Sequence, residues 1–103
     1  MVKMVGLLLL YGGFFALAPA SAAAPDGKAV YSQTCAACHA NGVANAPKLA
    51  DRTAWETRIK AGKDLLVTSV LKGKGAMPPK GGNASLSEED VRAAVDYIVA
   101  YTR

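Results

Sequence analysis

Cys35-Ala36-Ala37-Cys38-His39 contains both cysteines and the only histidine of the 103-residue chain. Residues three apart on a helical turn share a face, so two thiols at i and i+3 can reach one edge of a planar macrocycle. There they can form thioethers with its two vinyl groups. An imidazole one residue further on sits near the centre of that plane, where it can ligate iron. This spacing is the attachment pattern of covalent haem c.

Other chemistries for a Cys-x-x-Cys pair fit less well. A redox disulfide of this spacing opens a helix after a strand, and no strand-like run precedes Cys35. A closed zinc site takes four ligands, whereas Cys35, Cys38 and His39 are the only soft ones and have no second cluster to join. A structural disulfide over three residues would close a short, strained loop of little use as a staple.

Iron held by one histidine leaves a second axial position, and its occupant decides what the metal does. The chain has three methionines and no second histidine. Met1 and Met4 fall in the segment expected to be removed on export, leaving Met77. It sits in Gly75-Ala76-Met77-Pro78-Pro79, where the prolines restrict the backbone and disfavour helix. A stiff loop of this kind can hold a weak sulfur ligand on a metal. Ligation by His39 and Met77 would raise the reduction potential and close both faces of the iron. That favours passing single electrons over peroxidase or oxidase chemistry.

The N-terminus reads as a signal peptide. Lys3 supplies the positive start, Leu7 to Leu10 with Phe14, Phe15 and Leu17 the apolar centre, and Ala18-Pro19-Ala20-Ser21-Ala22 the small residues of a cleavage site. Cleavage after Ala22 makes residues 1–22 the leader and 23–103 a single monohaem domain. A cut after Ala24 would place Pro25 just beyond the scissile bond. The competing reading is an uncleaved anchor. Met4 to Ala24 carries no charge and matches the roughly 20 residues that cross a bilayer, but Gly12, Gly13 and Pro19 interrupt it. Export implies an oxidising compartment, a bacterial periplasm, where a thiol pair must be oxidised, metallated or alkylated. A domain this short rarely builds enough core alone, and a covalent haem would supply both apolar filler and cross-links.

The elements that must position these groups are all helical. Asp26 can cap a helix running through Ala29, Val30 and Tyr31 to Cys35, and Asn41-Gly42 ends it. Asn45 to Leu49 reads as loop. Thr53 and Glu56 have capping-box spacing for a second helix, which Gly62 can end in the left-handed conformation. A third helix starts at Asp64, carries Leu65, Leu66, Val67, Val70 and Leu71, and stops at Gly73 and Gly75. Gly75 to Gly82 is an irregular Gly/Pro loop. Ser87 and Asp90 make a capping box for the last helix, where Val91, Ala94, Val95, Ile98 and Thr102 recur at helical spacing. No stretch alternates with period two for long enough to form a strand. The expected class is all-α, with about four short helices around one haem.

With these residues assembled, residues 27–103 resemble a class I cytochrome c. The stretch Gly73-Lys74-Gly75-Ala76-Met77-Pro78-Pro79-Lys80-Gly81-Gly82 is similar to the cytochrome c5 subgroup. The resemblance implies N- and C-terminal helices crossing at a glycine–aromatic contact, for which Gly27, Tyr31 and Tyr97 are the matching positions. It also implies a proline carbonyl that receives the histidine's Nδ1–H, matched by Pro47, and an apolar residue against the haem, matched by Leu49. A hydrogen bond of that kind would orient His39 and raise its basicity. The c5 proteins often carry a further cysteine pair after the Gly-Gly, where this chain has Asn83 and Leu86.

Trp55 could donate its indole N–H to a haem propionate and Arg58, three residues on, could pair with the same group. Alternatively Trp55 is a core anchor and Arg58 a solvated charge, since surface ion pairs are usually minor. Tyr31 and Tyr97 suit helix contact better than electron relay. Lys48, Lys72, Lys74 and Lys80 flank the expected haem edge, either as ordinary solubilising charge or as a ring that steers an acidic redox partner. The net charge of +4, with twelve basic and eight acidic residues interspersed, does not suit nucleic-acid binding. These readings converge on a monomeric periplasmic carrier of single electrons between redox proteins, with no catalytic residue and no small-molecule substrate. The alternatives are a haem enzyme of peroxidase type, or a gas-binding haem sensor, with a labile Met77.

Overall fold

The computed structural model describes residues 24–103; the expected leader, its cleavage site and the possible anchor lie outside them. Asp26 opens the first helix as expected, its carboxylate accepting from the amides of Lys28 at 3.1 Å and Ala29 at 3.4 Å. The helix α1 (Gly27–Val30) continues without a break through a π-helical stretch, Tyr31–Cys35, into α2 (Ala36–His39). The wider π turn carries one extra residue and so rotates everything after it relative to what precedes it. Gly27 and Tyr31 can therefore face one neighbour while the two thiols and His39 face another. Gly42, at φ 76°, ends the run.

Helix α3 (Arg52–Lys60) is followed almost directly by α4 (Lys63–Lys72), and α5 (Glu88–Thr102) closes the chain. Counting the first run once and leaving aside two short 3-10 turns, the helices among the described residues number four, as expected. Among the described residues the only β-type pairing is the single bridge between Lys74 and Met77.

Two details differ from the sequence expectation. The cap of α3 is Asp51, not Thr53: its carboxylate accepts from Ala54 N at 3.1 Å, while Glu56 pairs with Lys60 one turn on. A carboxylate one residue ahead of the helix outcompetes a hydroxyl already inside its first turn. Gly62 has positive φ but ψ of 144°, so it is not a left-handed helix end; it is an extended hinge that serves directly as the entry to α4.

Helix α5 is the organising element. Ser87 Oγ accepts from Asp90 N at 3.0 Å and Asp90 Oδ2 accepts from Ser87 N at 2.9 Å, so the expected capping box is formed. Ser87→Ala should lower stability by about 1 kcal/mol, read as a shift in the chemical-denaturation midpoint. One face of α5 puts Val91, Val95 and Val99 against Val67 of α4, with Ile59, Leu66 and Leu86 at the margin. Another puts Ile98 with Tyr31 and Trp55. Lys63–Asp96 at 2.9 Å and Arg92–Asp64 at 3.0 Å lace α4 to α5 on the surface. Such exposed pairs add little to stability.

The first helix crosses α5 at Gly27. A Cβ there would lie 2.1 Å from the Ala93 carbonyl oxygen and 3.2 Å from Tyr97 Cβ. Just beyond, the Tyr31 and Tyr97 rings pack with centroids 5.4 Å apart. The glycine–aromatic helix contact implied by the resemblance is thus present, at the residues named for it. Burial, with Cys35, Tyr97 and Tyr101 nearby, pushes the Tyr31 phenol above its ordinary 10.0.

Candidate haem site

A cavity of about 660 Å³ opens between the attachment helix, α4, α5 and the loop after α4. It is lined by Cys35, Cys38, His39 and Met77 together, so the chain's folding brings all four expected ligands to one place. Its remaining wall is mostly apolar, drawn from Leu65, Leu66 and Val70 of α4 and from Val91, Val95 and Ile98 of α5. The volume lies within the range of small-molecule and cofactor pockets.

His39 is buried, and its Nδ1 lies 2.8 Å from the Pro47 carbonyl oxygen. A carbonyl can only accept, so Nδ1 carries the proton and Nε2 keeps its lone pair. That is the tautomer a metal requires. Leu49 N donates to the His39 carbonyl oxygen at 2.8 Å, so the loop is fastened to both the ring and the backbone of this residue. The same loop holds Ala44 at φ 53°, Asn45 at φ 63° and Ala50 at φ 68°. Left-handed alanines cost roughly 1–2 kcal/mol each. The chain doubles back tightly here to return Pro47 to the histidine.

Leu49 departs from its expected place, while Trp55 takes one of its two expected roles. Leu49 does not line the cavity but packs behind it, against the Tyr31, Trp55 and Ile98 cluster. Its amide is committed to the His39 carbonyl. Trp55 lines the cavity, with its ring 5.7 Å from that of His39, yet its indole N–H donates to the Lys48 carbonyl oxygen at 2.8 Å. That N–H is therefore engaged within the protein and is not aimed at a propionate; Trp55 is the buried anchor of α3. The Lys48 carbonyl also accepts from Asp51 N at 3.1 Å, so Trp55→Phe removes one of its two hydrogen bonds and should cost about 1 kcal/mol in an unfolding titration. Arg58 also lines the cavity, exposed, with its guanidinium donating back to the Ala54 carbonyl.

Met77 is half-buried in the opposite stretch of sequence. Its amide and carbonyl exchange hydrogen bonds with those of Lys74, both at 2.9 Å, across a tight turn with Gly75 at φ 58°. Gly73 must be glycine, since a Cβ there would sit 2.9 Å from both the Met77 carbonyl oxygen and Pro79 N. Backbone pairing, not side-chain packing, therefore fixes this turn.

The two cysteines are not bonded to each other. Cys38 is exposed, while Cys35 is half-buried and burial pushes its thiol up. Val43 and Leu65 line the cavity although they are 51% and 58% exposed, the arrangement of a cradle whose apolar content remains to be covered. A planar apolar macrocycle with two thioether links and an iron suits this donor set and these walls.

The charge around the opening is one-sided. Arg58, Lys74 and Lys80 line the cavity, and none of the chain's eight carboxylates does. Lys48 and Lys72 do not line it, so only part of the expected lysine group is gathered there. The π-helical stretch and the Lys48 carbonyl as partner to Trp55 were missed by sequence reasoning. Both arise from tertiary packing, and no local pattern encodes them.

A family model described as cytochrome c oxidase, cbb3-type, subunit III, matches residues 22–98. Cytochrome c-555 of Chlorobaculum tepidum is 44% identical over 100 residues, covering 93% of this chain and 88% of that protein. Cytochrome c5 of Azotobacter vinelandii is 45% identical over 74 residues, covering 70% and 89%. Among solved structures, the crystal structure of an electron transfer complex of nitrite reductase with cytochrome c provides a chain that superposes with a TM-score of 0.73. That chain is 52% identical, and the match covers 77% of this chain and 96% of it. The chain belongs to the class I monohaem c-type cytochromes. As in its relatives, it binds one covalent haem c, and its relatives' names range over c5, c-555, c-551 and c6 rather than the c5 subgroup alone.

Proposed function

We propose that this cytochrome is an exported, one-electron carrier in which Cys35 and Cys38 hold the haem and His39 and Met77 ligate its iron. The single observation that supports this best is the 2.8 Å contact from His39 Nδ1 to the Pro47 carbonyl, which leaves Nε2 as a lone-pair donor in a cavity shared with both thiols and the Met77 thioether. The haem supplies reversible exchange of one electron at iron. His39 is oriented by Pro47, and the buried Trp55 ring limits its rotation. The Lys74–Met77 backbone pair presents the sulfur without asking the side chain to find its own position. Leu66, Val91 and Val95 keep water from the interior of the cavity. No residue is placed for acid–base or nucleophilic chemistry. Of the α3 side chains at the cavity, Arg58 is the one left to pair with an acidic group of the haem.

Docking follows from the opening. Arg58, Lys74 and Lys80 line the same cavity as exposed Val43 and Leu65, which suits a redox protein with carboxylates beside an apolar spot. Lys74→Glu with Lys80→Glu should slow electron transfer to such a partner about tenfold or more at low salt, with the difference shrinking as salt rises. Stopped-flow traces at several ionic strengths test this; a salt-independent rate would remove the steering role. The nitrite reductase in the matched complex makes a redox enzyme the natural kind of partner.

No helix among the described residues is long and apolar enough to cross a membrane. We place the mature chain in the periplasm, beginning at Ala23, as a monomer; intact mass of the exported protein checks the cut and the added haem together. The carrier reading is tested by redox titration under carbon monoxide. One electron per chain, with no gas uptake by the reduced protein, is expected. Gas binding without ligand displacement would favour the sensor, and rapid peroxide turnover at native pH the peroxidase.

A further inference from the structure

The loop that carries Met77 is fastened a second time, well beyond the methionine. After Pro78 and Pro79 the backbone passes through three successive left-handed residues, Lys80 at φ 55°, Gly81 at φ 61° and Gly82 at φ 86°. This coil lays Gly81 on the attachment helix, where a Cβ would lie 3.1 Å from Thr34 Cγ2. Asn83 then donates from Nδ2 to Thr34 Oγ1 at 3.2 Å, across 49 residues of sequence. Among the described residues no other side-chain hydrogen bond joins this loop to that helix.

Asn83 is itself held rigidly. Its Oδ1 accepts from Ser85 N at 3.1 Å, its amide donates to the Lys80 carbonyl at 3.1 Å, and its carbonyl accepts from Leu86 N at 3.1 Å. Its side chain is thus pre-aimed, and little conformational freedom is lost in making the contact. Thr34 directly precedes Cys35. Among the described residues, this is the side-chain hydrogen bond that joins the segment bearing the sulfur to the segment bearing the covalent links.

We infer that the Thr34–Asn83 hydrogen bond is a latch that positions the Met77 loop and sets how often its sulfur leaves the iron, and so how readily an outside ligand can take its place. The inference rests on Met77 being the axial ligand, as proposed above. Thr34 and Asn83 touch neither iron nor partner; they act through the loop. The strained coil at Lys80 favours release, and the latch opposes it.

The test uses the ferric, haem-loaded mature protein with imidazole as probe. Displacement is followed by loss of the sulfur–iron charge-transfer band at saturating imidazole, where loop release limits the rate. Thr34→Val keeps the shape and removes the acceptor; Asn83→Leu removes the donor. Each should speed displacement about threefold to tenfold, the scale of one lost hydrogen bond. Thr34→Ser restores the hydroxyl and should return the rate to near wild type. The double variant should be no faster than the faster single one, since both remove the same contact. A purely structural role would lower the unfolding midpoint and leave displacement unchanged, which overturns the latch. Equal rates in Thr34→Ser and Thr34→Val overturn it too. A wild-type protein without the band removes the Met77 assignment and the inference with it, whereas a band with unmoved variant rates removes the latch alone.

Discussion

Met77→Ala is expected to abolish the sulfur–iron charge-transfer band, lower the reduction potential and open the reduced protein to carbon monoxide, all without unfolding it. A neutral thioether stabilises the ferrous state more than water or a harder ligand does, so its loss favours ferric iron. Axial ligands span about 0.8 V across haem proteins, and a fall on the order of 0.1 V or more is expected here. The fold should survive because the turn around residue 77 is held by backbone: Lys74 and residue 77 still exchange both 2.9 Å hydrogen bonds when the side chain ends at Cβ. Gly73 still permits the close approach. Three readouts thus move together while helical content does not. A variant that keeps its band and its potential would show that sulfur is not the ligand, and His39 would then need another partner.

The same separation explains what the sequence made readable. Cys35, Cys38 and His39 were legible because covalent attachment imposes a fixed local spacing on one helical turn. Met77 was legible by elimination and by the prolines that follow it. Helix α5 was legible because capping box and apolar period are both short-range, and all the residues expected on its inner face are buried. Pro47 and the Gly27 crossing came through family resemblance; the 2.8 Å and 2.1 Å geometries bear out the positions named. What failed was long-range or competitive. Asp51 displaced Thr53 as a cap because two residues two positions apart could serve and the structure uses the earlier one. Trp55 had two readings, propionate donor or core anchor, and sequence could not choose between them; the Lys48 carbonyl on its N–H fits the second. Leu49 packs behind the cavity, with its amide donating to the His39 carbonyl. Each miss is a polar group whose partner is chosen by tertiary structure, where a window of sequence holds no information.

Those tertiary choices place the two proposed axial ligands on different kinds of foundation. His39 stands on a continuous helix and is braced by Pro47, Leu49 and Trp55, all from the segment that follows it. Met77 stands on a loop, held by its backbone pair with Lys74, by local turns through Pro78, Lys80 and Asn83, and by one side-chain hydrogen bond to the attachment helix. The histidine side is accordingly the stiffer one, and ligand exchange is to be expected on the sulfur side.

Gly27→Ala should be the most damaging glycine-to-alanine change among the described residues. The added Cβ would lie 2.1 Å from the Ala93 carbonyl oxygen and 2.7 Å from its carbon, both backbone atoms of α5. Neither can swing aside as a side-chain tip would. Relief requires the first helix and α5 to separate, which loosens the Tyr31–Tyr97 contact at 5.4 Å and draws Ala94, Val95 and Ile98 away from the cavity they line. Alanine's better helix propensity offers at most about 1 kcal/mol in return. Overpacking of a closed contact costs about 1–3 kcal/mol and sometimes more, and a clash with immovable backbone belongs at the upper end. In a domain of this size each kcal/mol moves the thermal midpoint by about 4–8 °C, so a fall exceeding 10 °C is expected for the haem-loaded protein. Gly62→Ala is the control: nothing lies within 4 Å of its Cβ position, so only the strain of φ 110° remains. If Gly27→Ala melted no lower than Gly62→Ala, the two terminal helices could not be packed as tightly as the structure has them.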